Sequence, residues 1–166
     1  EAEVRGAMER EIIAANLTCA YGSIVTIHGE ILHNEKYSHN LQSGDLLLAD
    51  VGAETALGWA SDLTRTVPVN GKFSSSQRDI YDVVLEVQLA CIEATKVGTT
   101  VKQRQDLSIE LLTEGMKKVG LLKGKTKDLI KKKAYLKYYM HGVGHYLGLD
   151  VHDAGRYFTD QKAKNS

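Results

Sequence analysis

The chain predicts an α+β fold with a largely antiparallel sheet, on three observations. A helical pattern opens the chain, several short β-branched or apolar runs follow it, and longer segments with apolar residues at helical spacing come after them. In order, Val4, Met8 and Ile12 recur at helical spacing and predict an amphipathic helix over residues 2–16. Tyr21 to Ile27 (YGSIVTI) is short and β-branched, and reads as a strand. After the loop HGEILHNEKYSHN, the segment SGDLLLADVG carries Leu46, Leu47 and Leu48 in a row, as a strand buried on both faces would. GWASDLTRTVPVNGKF is β-rich again, with Asn70-Gly71 as the turn that ends it. The lone proline, Pro68, sits near that strand's end, where a missing donor is tolerated.

Ser76 with Asp79 three residues on resembles a capping box, and Ile80, Val83, Val84, Val87 and Cys91 give a helix to about Lys96, stopped by Gly98. A second helix is predicted from Val101 to Val119 with Leu107, Leu111 and Leu112 inward, and a shorter one from Thr126 to Lys133. The histidine-rich stretch beyond them reads as extended or loop-like.

Bulk properties narrow the function classes. A chain of 166 residues is about one domain. Hydrophobic content of 43% and charged content of 25% are those of an ordinary globular protein. The net charge is zero, so no overall field favours nucleic acid, and the basic run Lys123 to Lys137 reads as a solvated face. Cys19 and Cys91 sit in apolar contexts and read as reduced thiols. No apolar run approaches the ~20 residues of a membrane span, and no signal peptide opens the sequence, so a cytoplasmic protein without membrane partners is expected. The first residues are already helical without a cap, and the last are polar; residues 1–166 are expected to be part of a domain cut on both sides.

Chemistry concentrates in two places. Asp50 ends an apolar run, where a carboxylate is costly unless it is paired or binds a metal. Asp62 follows twelve residues on; if the strands form a hairpin around GAETALG, both carboxylates can project to one spot, and a divalent cation would relieve their repulsion. Read from spacing alone, they can equally be two unrelated aspartates. The segment HGVGHYLGLDVHD, His141 to Asp153, holds three of the six histidines. His141 and His145 are four apart, but the Gly-Val-Gly between them resists a helix, so separate roles are expected rather than the helical zinc pattern. Neither cysteine has an electropositive neighbour, and there is no G-x-S-x-G elbow or Walker loop, so metal-assisted hydrolysis fits better than nucleophilic catalysis.

GWASDLTRTVPVNGKFSSSQRDIYDVV and HGVGHYLGLDVHD resemble signature segments of the pita-bread metallopeptidases. Within that family the likeness is greatest to Xaa-Pro aminopeptidases, then to Xaa-Pro dipeptidases, with GLDVHD the discriminating part. The resemblance implies a partial pita-bread fold and hydrolysis of the N-terminal Xaa-Pro bond by water activated between two divalent ions, most often Mn²⁺, with Zn²⁺ or Co²⁺ as alternatives. By motif match it implies Asp50, Asp62 and His145 as metal ligands, with His33, His141 and His152 lining the site as catalytic residues. Tyr21 matches a tyrosine that hydrogen-bonds a ligand carboxylate.

The family's two glutamate ligands lie downstream of GLDVHD, whereas the last glutamate here is Glu114. The resemblance therefore implies three of five ligands, and a chain inactive by itself although its parent is a dinuclear aminopeptidase acting on peptides with proline second. It also implies an oligomeric parent and a fragment prone to self-association. The competing expectations are a dipeptidase and a non-catalytic binding module that keeps the fold.

Overall fold

The computed structural model describes residues 1–155, in which two compact units separate. The first comprises residues 1–73 and the described residues from Tyr146 onward, and the second spans Ser74–His145.

In the first unit, helix α1 (Ala2–Ala14) leads into β1 (Thr18–Cys19), β2 (Ile24–Thr26), β3 (Leu46–Val51), β4 (Ala53–Glu54) and β5 (Leu63–Pro68). All pairings among the described residues are antiparallel, as the sequence predicts: β2-β3-β5 form one sheet, and β1 with β4 forms a two-stranded ribbon. Val25 is fully buried, with Ile24 and Leu47 beside it in the core. The leucine run is covered less than expected, since only Leu47 is buried while Leu46 and Leu48 are half-buried. Val4, Met8 and Ile12 are the half-buried face of α1. Pro68 closes β5, an edge strand, opposite Leu46, where its missing N–H breaks no inner ladder. The chain then turns at Asn70-Gly71, with Gly71 at φ 77° and its N–H on the Pro68 carbonyl at 2.9 Å.

In the second unit, α2 (Ser75–Ala94), α3 (Val101–Lys118) and α4 (Thr126–Lys131) precede a single 3₁₀ turn at Ala134–Lys137. The cap of α2 is Ser74, not Ser76. Ser74 Oγ accepts from Gln77 N at 3.3 Å while Gln77 Oε1 accepts from Ser74 N at 2.9 Å. Gln77 can return the bond to the cap, and this reciprocal pairing decides which serine starts the helix. Thr100 and Gln103 repeat the same box at α3.

Helix contact faces differ from the periodic reading. Val87 and Cys91 are buried, but Ile80 and Val84 are exposed. On α3 the buried residues are Ser108, Thr113, Gly115 and Met116, with Leu107, Leu111 and Leu112 only half-buried. Small residues win this face because the helices come close: a β-carbon on Gly115 would stand 2.3 Å from Val83 Cγ1. The hydroxyls that enter the interior are satisfied, Thr113 by the Ile109 carbonyl at 2.6 Å and Ser108 by the Gln105 carbonyl at 2.9 Å. No described helix is long and apolar enough to cross a membrane.

Candidate metal centre

Two carboxylates and a phenol meet in the first unit. Asp50 lies on β3 opposite Thr64 of β5, and Asp62 precedes Thr64 by two residues, so both aspartates fall on one face of the pair. The loop between them is the hairpin expected from GAETALG. Thr55 N donates to the Trp59 carbonyl at 3.0 Å, Gly58 N to the Thr55 carbonyl at 2.8 Å, and Glu54 bridges Ala60. Ser61 clamps its base: Ser61 N donates to the Ala53 carbonyl and Ala53 N to Ser61 Oγ, both at 2.9 Å.

Tyr21 reaches this face through an enlarged bulge. Cys19 pairs with Ala53 and Ile24 with Asp50, so the four residues Ala20–Ser23 oppose only Val51 and Gly52. Extra residues in one strand bend it and re-aim a side chain. The Tyr21 hydroxyl donates to Asp50 Oδ1 at 2.5 Å and lies 3.2 Å from Asp62 Oδ1. The ring fits only because residue 52 has no side chain: a β-carbon there would stand 2.5 Å from Tyr21 Cε1 and 1.9 Å from the Ser61 carbonyl oxygen. Burial, the hydrogen bond to Asp50 and the charges of both carboxylates raise the phenol well above its ordinary range, so it remains a donor.

The histidines divide between the two units. His33 lies on the β2–β3 connection, exposed and left-handed at φ 53°. His152 is exposed in a turn closed by Asp153, whose carboxylate accepts from Ala154 N at 2.8 Å and Leu149 N at 3.2 Å. That turn is tied to the aspartate hairpin by Ala60 N donating to the Gly148 carbonyl at 2.9 Å. The alternating segment LDVHD forms no strand; its backbone bonds close locally, with Gly148 N on the Asp150 carbonyl at 3.1 Å.

His141 and His145 belong to the second unit, where α3 holds their segment in place. Gln105 Oε1 accepts from Val143 N at 2.8 Å, and the buried Tyr139 lies 3.0 Å from Ser108 Oγ through its hydroxyl. Tyr139 meets the exposed His141 ring edge-on at 5.1 Å, and His145 is half-buried. The anchoring roles of Gln105, Ser108 and Tyr139 have no local signature in the sequence, because each arises from a contact more than thirty residues away.

Among the described residues no three His, Cys, Asp or Glu side chains form a ready metal cluster. The donor chemistry of the Asp50–Asp62 pair nevertheless suits a divalent ion: two hard oxygen donors on one face share the hydroxyl of Tyr21.

Comparison with known proteins identifies the family. The model of metallopeptidase family M24 matches residues 1–165. The Xaa-Pro aminopeptidase of Haemophilus influenzae is 47% identical over 145 residues, covering 86% of this chain and 34% of that protein. The Escherichia coli Xaa-Pro aminopeptidase is 42% identical over 134 residues, 81% of this chain and 30% of its own length. This chain thus spans about a third of the curated relatives it matches. Among solved structures, Pseudomonas aeruginosa aminopeptidase PepP superposes with a TM-score of 0.92 at 37% identity, covering 96% of this chain and 36% of that one. Zinc-substituted E. coli aminopeptidase P in complex with product gives 0.91 at 38% identity, covering 98% and 37%. With this fold, and with the family model matched over residues 1–165, the chain belongs to metallopeptidase family M24.

Proposed function

We propose that the whole protein is a metal-dependent aminopeptidase that releases the first residue of peptides whose second residue is proline. Asp50, Asp62 and His145 are its metal ligands within this chain, Mn²⁺ is the preferred ion, and His33, His141 and His152 face the substrate. The observation that carries the reading is the convergence of Asp50 and Asp62 on the Tyr21 hydroxyl. The relatives' names as Xaa-Pro aminopeptidases support the substrate class.

In the reaction, water adds to the scissile carbonyl carbon, the bond to the proline nitrogen breaks, and that nitrogen takes up a proton. When bound, the divalent ions supply Lewis acidity that eases deprotonation of water and polarises the carbonyl. The chain's own part is positional. Tyr21 fixes one carboxylate oxygen of Asp50 by donation, which sets the orientation of its other oxygen. The exposed imidazoles of His33, His141 and His152 supply hydrogen-bond donors for the oxygen that gains charge as the carbonyl becomes tetrahedral. The family's two glutamate donors follow the GLDVHD segment, and the last glutamate here is Glu114, so the 166 residues alone are proposed to be inactive. A cytoplasmic location goes with this reading, supported by two unpaired thiols, Cys19 half-buried and Cys91 buried.

The test uses the full-length protein, stripped of metal and reloaded with Mn²⁺, on paired peptides with proline or alanine second. Release of the first residue from the proline peptide alone, lost in Asp62→Ala, is expected. Equal release from both peptides, or release without metal, would overturn the assignment.

A further inference from the structure

The 19 residues between β2 and β3, residues 27–45, contain no helix or strand, and they carry His33. Connections of that length are uncommon in compact proteins unless they serve a function. One carboxylate gathers both shoulders of the loop. Glu1 Oε1 accepts from Ile27 N at 2.9 Å and from Thr26 Oγ1 at 3.2 Å. Glu1 Oε2 accepts from His39 N at 2.9 Å and stands 3.1 Å from His39 Nδ1. The Glu1 backbone nitrogen donates to the His39 carbonyl at 3.1 Å, and the Glu1 side chain is fully buried.

Thr26, also fully buried, carries the restraint into the loop. Its hydroxyl donates to Glu1 and accepts from His28 N at 3.0 Å and from Asn34 Nδ2 at 3.2 Å, which uses its whole capacity of one donor and two acceptors. Asn34 is 8% exposed, and its Oδ1 accepts from Lys36 N at 3.1 Å. The residue before this pinned amide is His33, exposed at φ 53°. A side-chain-bearing residue stays left-handed only where its surroundings over-determine it. Here the surroundings are the buried Asn34–Thr26–Glu1 chain of hydrogen bonds.

We infer that Glu1, Thr26 and Asn34 are positioning residues that hold His33 in its left-handed conformation and so aim its imidazole at the substrate. The inference rests on the reading of His33 as substrate-facing. Without the Thr26 hydroxyl, Asn34 loses its anchor, residue 33 relaxes to negative φ, and the ring leaves its place.

The decisive experiment is a double-mutant cycle in the full-length, Mn²⁺-loaded protein between Thr26→Val and His33→Ala, with Thr26→Ser as the conservative control. Thr26→Val is expected to lower kcat/KM on the order of tenfold, Thr26→Ser to stay within about twofold of wild type, and the Thr26→Val loss to vanish once His33 is alanine. An equal loss in the His33→Ala background would mean that Thr26 acts through stability alone, and would overturn the inference. Imidazole resonances of His33 and amide exchange over residues 28–38 provide a readout independent of activity. If no Xaa-Pro peptide is cleaved, the functional reading falls, and positioning is then judged by these signals: changed in Thr26→Val it stands, unchanged it fails. If Thr26→Val does not fold, Asn34→Ala is read in the same way.

Discussion

Tyr21 Cε1 lies 2.5 Å from where a β-carbon on residue 52 would stand, so the phenol and the backbone of Gly52 share space that no other residue would leave open. The second neighbour, the Ser61 carbonyl at 1.9 Å from that point, is backbone and cannot rotate away. Gly52→Ala is therefore expected to destabilise the protein by about 3 kcal/mol, at the upper end of overpacking costs. Urea unfolding of wild type and variant measures this. A loss well under 1 kcal/mol would show that the bulge can shift to admit a methyl group.

Tyr21→Phe keeps the ring and removes only the hydroxyl shared by Asp50 and Asp62. Removing an outer partner of a ligating carboxylate typically weakens metal binding 10–100-fold. Isothermal titration of Mn²⁺ into the metal-free protein should show a weakening of about that size with circular dichroism unchanged. Unaltered affinity would separate Tyr21 from the metal centre.

Glu1 makes acid stability a specific expectation. Burial acts to raise its pKa, but the N–H groups of Ile27 and His39, the His39 ring and the Thr26 hydroxyl outweigh burial and hold it at about 2, below the ordinary 4.5. The folded state thus favours the charged form. Its contribution is complete above about pH 4.5, declines as pH falls, and is gone near pH 2. The amount is on the order of 3 kcal/mol. Glu1→Gln should unfold more easily at pH 7 and show a flatter decline between pH 5 and 2 than wild type. Parallel acid curves for the two proteins would contradict the assignment.

Gly115 inverts the usual helix rule. Glycine to alanine inside a helix ordinarily gains about 1 kcal/mol. With Val83 Cγ1 2.3 Å from the new methyl, Gly115→Ala should instead cost about 1–3 kcal/mol. Adding Val83→Ala makes room, so the double variant should be less destabilised than the sum of the two singles in thermal unfolding.

Much of the architecture was legible because it depends on local pattern. Strand segments alternate or run apolar, helices repeat every three to four residues, and glycine turns separate them. The Asp50–Asp62 hairpin could be read for the same reason: its turn lies wholly within twelve residues. The sequence reading sets the cap of α2 at Ser76, two residues late, because the reciprocal bond that marks Ser74 is made by Gln77 and not by Asp79. The small-residue face of α3 was hidden behind its leucines, since spacing reports which residues share a stripe and not how closely a neighbouring helix packs.

By itself, then, the sequence determined the antiparallel α+β class and the order of elements, consequences of chemistry repeated over a few residues, and offered the two aspartates on one hairpin as one of two readings. Tyr21 was legible only through the family resemblance, and tertiary structure alone decided that Gly52 must be bare and that Glu1 would fasten the loop carrying His33. These contacts join backbone segments 26 to 41 residues apart, brought together by the tertiary fold. A register is a property of two segments at once: four residues against two at Ala20–Ser23 re-aim Tyr21, and neither strand read alone contains that offset.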